Sequence, residues 1–176
     1  MIVRMESSRL IYQRLSADDL EFMLRLTGNA DVVRYLPGMI TDRDMMLGWF
    51  RSLGEKDNEI VVFLKETGEP IGECSMTPQI DGNGWEIGYM LLPEYWKQGY
   101  GTEIVQWIIR TARGVGVRRI TAATHHGNEA SIRLLEKMGF KPYSVAWILV
   151  DEENELKDNQ MEGYILELKG GHGLCE

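Results

Sequence analysis

The sequence predicts a single α/β domain built on one mixed sheet, and three observations lead there. Three strand-like segments follow one another between residues 59 and 92, with turns bearing Gly and Pro between them. Two stretches of helical periodicity then flank a short strand, and two further strand-like segments close the chain. A meander, two helical crossovers and a closing hairpin make a mostly antiparallel sheet of about seven strands with four main helices. The domain is expected over residues 1–170, with 171–176 a flexible tail.

Each element has its own signal. "RLIYQRL" at 9–15 has strand composition. Ser16 with Asp19 three residues on marks the start of a first helix, and Gly28 marks its stop. Thr41 and Asp44 repeat that spacing at the head of a second helix, after the apolar and aromatic linker "NADVVRYLPGMI". The meander is "EIVVFLKE" (59–66), "IGECSMTPQ" (71–79) and "WEIGYMLL" (85–92), punctuated by "TGEP" and "DGNG". From Thr102, apolar residues at Ile104, Val105, Ile108, Ile109 and Ala112 fall at helical spacing. "VRRITAAT" gives a strand, and Asn128 heads a helix that ends at Gly139. "YSVAWILV" and "MEGYILELK" form the closing hairpin around the acidic loop "DEENELKDN".

Composition excludes several classes. A length of 176 residues suits one domain with a real core. The formal charge of −8 argues against a general nucleic-acid binder and favours either cationic partners or plain acidic solubility. No apolar run approaches the roughly twenty residues that cross a bilayer, and the start "MIVRMESSRL" carries Arg4 and Glu6 where a secretory leader needs an apolar core. A soluble cytoplasmic protein with no membrane partner is expected, as a monomer or homodimer. Cys74 and Cys175 have neither metal spacing nor disulfide density, so both are expected as free thiols and no metal is expected.

The stretch "PEYWKQGYGTEIVQW" carries the chemistry. Gly99, Tyr100, Gly101 and Thr102 lie between a strand and a helix, where backbone N–H groups at the helix start can face an anion such as a phosphate. A dinucleotide fingerprint would need a third glycine where Ile104 stands, and the Gly-Lys-Ser/Thr of a P-loop is missing. A glycine pair that only turns the chain is the plain alternative.

Taken in order, "EIGYMLLPEYWKQGYGTEIVQWII" resembles the cofactor-binding strand, loop and helix of the GNAT superfamily of acyl-CoA-dependent N-acetyltransferases. "NEASIRLLEKMGF" resembles that family's second signature helix. The resemblance extends over nearly the whole chain and, through Trp96 and Ser131, is nearest the RimJ/RimL-type branch that acetylates ribosomal-protein N-termini. It implies that the amides from Gln98 through Thr102 hold the pyrophosphate of acetyl-CoA, with the glycines needed for its approach. It also implies that pantetheine lies like an added strand along Met90, Leu91 and Leu92, and that the N–H of Met90 polarises the thioester. Trp96 stands where many relatives carry an Arg or Gln that touches phosphate. Asn128 contacts the pantetheine arm by resemblance, and as an N-cap it would instead bond the N–H of Ala130 or Ser131. The usual general acid of the family is a Tyr where this chain has Leu135, which has no proton to give. Ser131, three residues beyond Asn128, takes that role by resemblance to Rim-type relatives, with close packing as the alternative.

Acetyl transfer needs a neutral amine, a polarised carbonyl and a proton for the departing sulfur. A lysine amine at a pKa of about 10.4 is neutral about once in a few thousand molecules at pH 7, and an α-amine near 7.8 about once in seven. The acceptor is therefore expected to be a protein or peptide N-terminal α-amine. A small amine such as an aminoglycoside or polyamine is the alternative, and a non-catalytic acyl-CoA sensor stands outside the enzyme class. Glu86 is the candidate base, directly or through water, with Glu73 second and a solvent-facing strand carboxylate as the plain reading. Tyr35, Leu36, Pro37, Met39 and Trp49 are candidate walls for the acceptor, and Glu86 joins Tyr35 and Trp49 as a substrate-binding residue. Asp151, Glu152, Glu153 and Glu155 either attract a cationic acceptor or are simply solvated, and His125 and His126 read as loop histidines.

Overall fold

The computed structural model describes residues 5–36, 42–52, 58–147 and 160–168, the side chains of 145–147 excepted. Pro37, Met39, Thr41, Asp151, Glu152, Glu153, Glu155, Cys175 and the tail 171–176 lie outside the described residues. Eight strands form one sheet: β1 (Met5–Glu6), β2 (Leu10–Arg14), β3 (Glu59–Leu64), β4 (Pro70–Pro78), β5 (Gly84–Leu91), β6 (Arg119–His125), β7 (Lys141–Trp147) and β8 (Gln160–Glu167). Their order is β1-β2-β3-β4-β5-β6-β8-β7. The helices are α1 (Leu20–Thr27), α2 (Ala30–Val33), α3 (Arg43–Ser52), α4 (Tyr100–Gly114) and α5 (Glu129–Lys137). The mixed sheet and the four longer helices are as the sequence predicts. The additional strand is β1, which at two residues is too short to show alternation and folds back on β2 through the Ser7 N–H to Leu10 carbonyl bond of 2.9 Å.

Local chemistry sets the helix ends. Asp19 accepts from the Ser16 N–H at 2.9 Å, so the capping pair sits where expected, and a turn of 3₁₀ helix over Ala17–Asp19 precedes α1. At α3 the carboxylate of Asp42 accepts from the Met45 N–H at 2.9 Å and serves as a cap. Gly139 adopts φ +91 and closes α5 in the left-handed conformation. Two short pieces carried no periodic signal: α2, started by Asn29 accepting from Asp31 and Val32, and a 3₁₀ turn at Pro93–Tyr95.

Helices cover both faces of the sheet. On one, Ile104, Val105, Ile108 and Ala112 of α4 and Leu135 of α5 pack against Leu10, Tyr12, Val62, Ile71, Ile87 and Ile120, and Tyr12 stacks on Trp107 with ring centroids 3.8 Å apart. Each of the large aliphatic side chains contributes roughly 1.5–3 kcal/mol by leaving water. Cys74 is a buried free thiol in this layer. On the other face, Leu20, Met23 and Leu26 of α1, Val32 of α2 and Met46 of α3 pack on Leu15, Val61 and Leu92.

One joint in the sheet differs from the rest. Among the described strands β5 and β6 are the parallel pair, linked by the crossover helix α4. Their pairing stops at Ile87 with Ala122. β5 nevertheless continues beside β4 to Leu91, and β6 beside β8 to His125. A wedge therefore opens in the middle of the sheet, with α4 and α5 beginning beside it.

Candidate active site

The wedge exposes backbone groups of β5, and the register decides which. Leu92 donates to the Ile71 carbonyl at 3.0 Å, and Gln79 donates to the Gly84 carbonyl at 2.8 Å. With an unbroken antiparallel register between them, even-numbered residues of β5 turn their backbone toward β4 and odd-numbered ones toward β6. Tyr89 and Leu91 therefore present N–H and C=O to the wedge. Of the expected edge, Leu91 belongs to it. Met90 and Leu92 turn their backbone to β4 and their side chains to the layer of α1–α3, which takes the Met90 N–H away from the wedge. The Leu91 carbonyl is already held at 2.7 Å by the indole N–H of Trp96, which gives that half-exposed Trp a place in the site.

Below the wedge lies the glycine loop. Lys97 at φ +59 and Gly99 at φ +84 are both left-handed, and α4 starts immediately after. The first intrahelical bond is from the Glu103 N–H to the Gly99 carbonyl at 3.0 Å, so the N–H groups of Tyr100, Gly101 and Thr102 have no partner within the helix. Such a bare N-terminus of a 15-residue helix, preceded by alternating left-handed residues, suits a pyrophosphate. Each glycine also has a reason within the fold itself. Gly99 supplies the left-handed turn. A Cβ on Gly101 would meet Leu134 Cδ1 at 3.0 Å and Leu91 Cδ1 at 3.9 Å, so its bareness lets α4 pack close to α5 and β5.

Arg9, which the sequence did not single out, clamps this loop. Its Nη1 donates to the Gln98 carbonyl at 3.0 Å, its Nε to Glu103 at 2.8 Å, and its guanidinium lies 4.2 Å from the Tyr100 ring centroid. Burial would raise the Glu103 carboxyl, but hydrogen bonds from the Arg9 N–H, the Ser7 hydroxyl and the Arg9 guanidinium hold it below the usual carboxylate range. The Gln98 side chain turns back to the Glu94 carbonyl, leaving its backbone as its contribution to the loop.

Helix α5 brings Asn128 and Ser131 to the wedge. Asn128 Oδ1 accepts from the Ser131 N–H at 3.2 Å, the cap predicted from the sequence, which leaves its amide N–H₂ as donor. Ser131 faces the body of the protein, and its Oγ lies 2.8 Å from the Tyr89 hydroxyl. Tyr89 was not anticipated. Burial pushes its phenol up to about 12, against the opposing effect of the Ser131 bond, so it keeps its proton at neutral pH. Leu135 is 1% exposed and belongs to the core.

The face of α1–α3 holds the carboxylates. Glu86 is exposed and pairs with Thr77 and Thr121, where the sheet is still closed. Glu73, opposite Met90, stands level with the wedge. It is 4% exposed, and its Oε1 has no hydrogen-bond partner among the described residues. Burial first, then the hydrogen bond and charge of Glu59, push this carboxyl well above the usual range. Tyr35 lies 5.4 Å from the ring of His125 at the end of β6, and His125 and His126 lie 4.6 Å apart. Trp49 packs elsewhere, beside Phe50 in the layer under α1–α3. Among the described residues there is no group of three or more His, Cys, Asp or Glu that could hold a metal, and no helix is long and apolar enough to cross a membrane.

A phosphate-ready helix start below a split sheet, with a hydroxyl pair beside the split, suits an acyl-CoA-dependent acyltransferase, and comparison with known proteins shows that class. The acetyltransferase (GNAT) domain matches residues 9–141, and the chain belongs to that family of acetyl-CoA-using N-acetyltransferases. It is 31% identical over 149 residues to the uncharacterized N-acetyltransferase YoaA of Bacillus subtilis (strain 168), covering 80% of this chain and 84% of that one. The fold is similar to that of a GNAT-family acetyltransferase from Bacillus anthracis, with TM-score 0.81, 20% identity and coverage of 94% and 98% of the two chains. It is also similar to RimL, a ribosomal L7/L12 alpha-N-protein acetyltransferase solved with coenzyme A, with TM-score 0.76, 15% identity and coverage of 92% and 96%.

Proposed function

We propose that this enzyme acetylates the N-terminal α-amine of a protein or peptide, as a RimJ/RimL-like member of its family. The observation that carries the reading is Ser131, held by Asn128 and Tyr89 at the start of α5, with the proton-free Leu135 buried one turn on. In this reading acetyl-CoA supplies the acetyl thioester. The N–H groups of Tyr100, Gly101 and Thr102 bind its pyrophosphate, and the edge of Tyr89 and Leu91 aligns its arm. Ser131 donates the proton that the leaving sulfur takes.

The carboxylates support an α-amine. Glu73 holds its proton beyond the ordinary carboxylate range, and exposed Glu86 stands at the closed part of the sheet, from which it serves as base through water. An amine that is neutral about once in seven molecules at pH 7 needs only such modest help. Tyr35, beside His125 at the mouth of the wedge, lines the acceptor's approach, and Trp49 backs it from the α1–α3 layer. RimL, which shares the fold, is by name an α-N-protein acetyltransferase.

Thiol release from acetyl-CoA across a panel of N-terminal peptides, blocked-N-terminus lysine peptides, aminoglycosides and polyamines tests the reading. Release with free-N-terminus peptides, abolished by blocking the α-amine, is expected. Release restricted to the small amines would overturn the acceptor assignment.

A further inference from the structure

Tyr89 and Ser131 come from elements 42 residues apart, a strand and the helix that faces it, yet their hydroxyls meet at 2.8 Å. The pair sits where β5 has parted from β6, among the residues whose backbone faces the wedge. A serine alone is a weak acid, and a hydroxyl that has given up its proton must recover it before the next turnover. Tyr89, in contact with Ser131, is able to do both jobs: its phenol retains its proton at neutral pH, pushed up to about 12 chiefly by burial. Ser131 has its N–H fixed by Asn128 at 3.2 Å, so the hydroxyl starts from a defined place.

We propose that Tyr89 is a positioning and proton-resupplying residue of the acyl transfer, acting through Ser131. This rests on the reading of Ser131 as the donor to the leaving sulfur. Either hydroxyl can donate across the 2.8 Å contact; in the proposed arrangement Tyr89 donates to Ser131 Oγ, which leaves the serine's own hydrogen directed outward and strengthens it as a donor. As the amine nitrogen forms its bond to the acetyl carbon and the C–S bond breaks, the Ser131 hydrogen passes to sulfur and the Tyr89 hydrogen passes to Ser131. The proton released by the amine nitrogen to solvent returns to the Tyr89 oxygen. One N–H bond is lost, one S–H bond is gained, and both hydroxyls are restored.

The first test needs no turnover. The thiol of coenzyme A bound to the enzyme is titrated by its thiolate absorbance in wild type, Tyr89→Phe and Ser131→Ala. A donor aimed at sulfur stabilises the thiolate, so both variants should titrate higher, by about one pH unit for the loss of a hydrogen bond to a charged group. Tyr89→Phe should also lower kcat by about tenfold or more while leaving coenzyme A affinity unchanged, and in the Ser131→Ala background it should add nothing. Ser131→Thr, which keeps a hydroxyl, should recover most of the thiol shift. A measurement on unaltered protein stands beside these: the dependence of kcat on deuterium content, with chemistry rate-limiting, should be curved, as two transferring protons require. If Tyr89→Phe leaves the thiol titration and kcat within about twofold of wild type while Ser131→Ala changes both, Tyr89 only packs and Ser131 keeps its role. Additive losses, or a linear isotope dependence, would likewise overturn the route through Tyr89. If neither variant moves the thiol, the reading of Ser131 itself fails.

Discussion

The two faces of the sheet treat their polar groups in opposite ways. On the α4–α5 face nearly every group in the site has a partner: Asn128 with the Ser131 N–H, Ser131 with Tyr89, Trp96 with the Leu91 carbonyl, and Arg9 with Gln98 and Glu103. On the α1–α3 face a buried Glu73 oxygen has no partner among the described residues, and burial pushes the carboxyl well above the usual range. A satisfied network holds one geometry, whereas an orphaned buried oxygen is costly and calls for an occupant or a task. The side-chain network of the α4–α5 face is thus closed on itself, with the helix-start amides of Tyr100, Gly101 and Thr102 left open, whereas the α1–α3 face keeps a carboxyl oxygen with no partner among the described residues.

The sharpest test of this contrast exchanges one group on each face. Ser131→Ala should lower kcat by about 10²- to 10⁴-fold with acetyl-CoA affinity nearly unchanged, measured with saturating acceptor, whereas Glu86→Gln should act mainly on the dependence on acceptor. A kcat within about twofold of wild type for Ser131→Ala would reduce that residue to packing.

Next in size is the core beneath the pair. Leu135→Ala should cost about 2–5 kcal/mol in denaturant unfolding, because a 1%-exposed side chain leaves a cavity, and it should spare kcat per folded molecule. Gly101→Val should cost about 1–3 kcal/mol, as its side chain meets Leu134 and Leu91, and should weaken coenzyme A binding as α4 shifts. A stable Gly101→Val with unchanged affinity by calorimetry would separate the loop from the packing of α4.

The smallest expected effect lies on the other face and has the opposite sign. Glu73 binds its proton more tightly in the folded protein than in the unfolded chain, where the pKa is about 4.3. Its contribution favours the fold at low pH and fades as pH rises from that value through the raised one. Glu73→Gln should remove this decline, leaving the variant at least as stable as wild type near neutral pH. A wild-type melting temperature that rises steeply with pH and falls with this substitution would show that Glu73 is ionised and paired.

What the sequence made legible follows from range. The apolar spacing of Ile104, Val105 and Ile108, the Asn128 cap and the Gly139 stop are local patterns, and each holds in the fold. Seeing Ser131 on the body-facing side of its helix needed only helical spacing. Tyr89, Arg9 and Trp96 act through partners set by the tertiary fold or by a turn, which local spacing does not supply. One signal was present for Tyr89: it shares strand parity with Trp85, Ile87 and Leu91, so its hydroxyl falls on an apolar face that requires a partner. The backbone direction of Met90 and Leu92 depends on register against β4, which is a property of two strands and is not carried by the sequence of one. The level of Glu73 relative to the wedge is likewise visible only once β5 and β6 are seen to part.

A strand that loses its neighbour halfway along leaves unpaired amides inside a sheet, ordinarily a template for aggregation. In the proposed function the acyl donor is itself the covering, so its concentration becomes a term in the protein's persistence. At a hundred times its dissociation constant a ligand of the folded state adds about 2.7 kcal/mol to stability. An enzyme built this way should melt later and resist proteolysis better when coenzyme A thioesters are abundant, tying its lifetime in a cell to the carbon supply it draws upon.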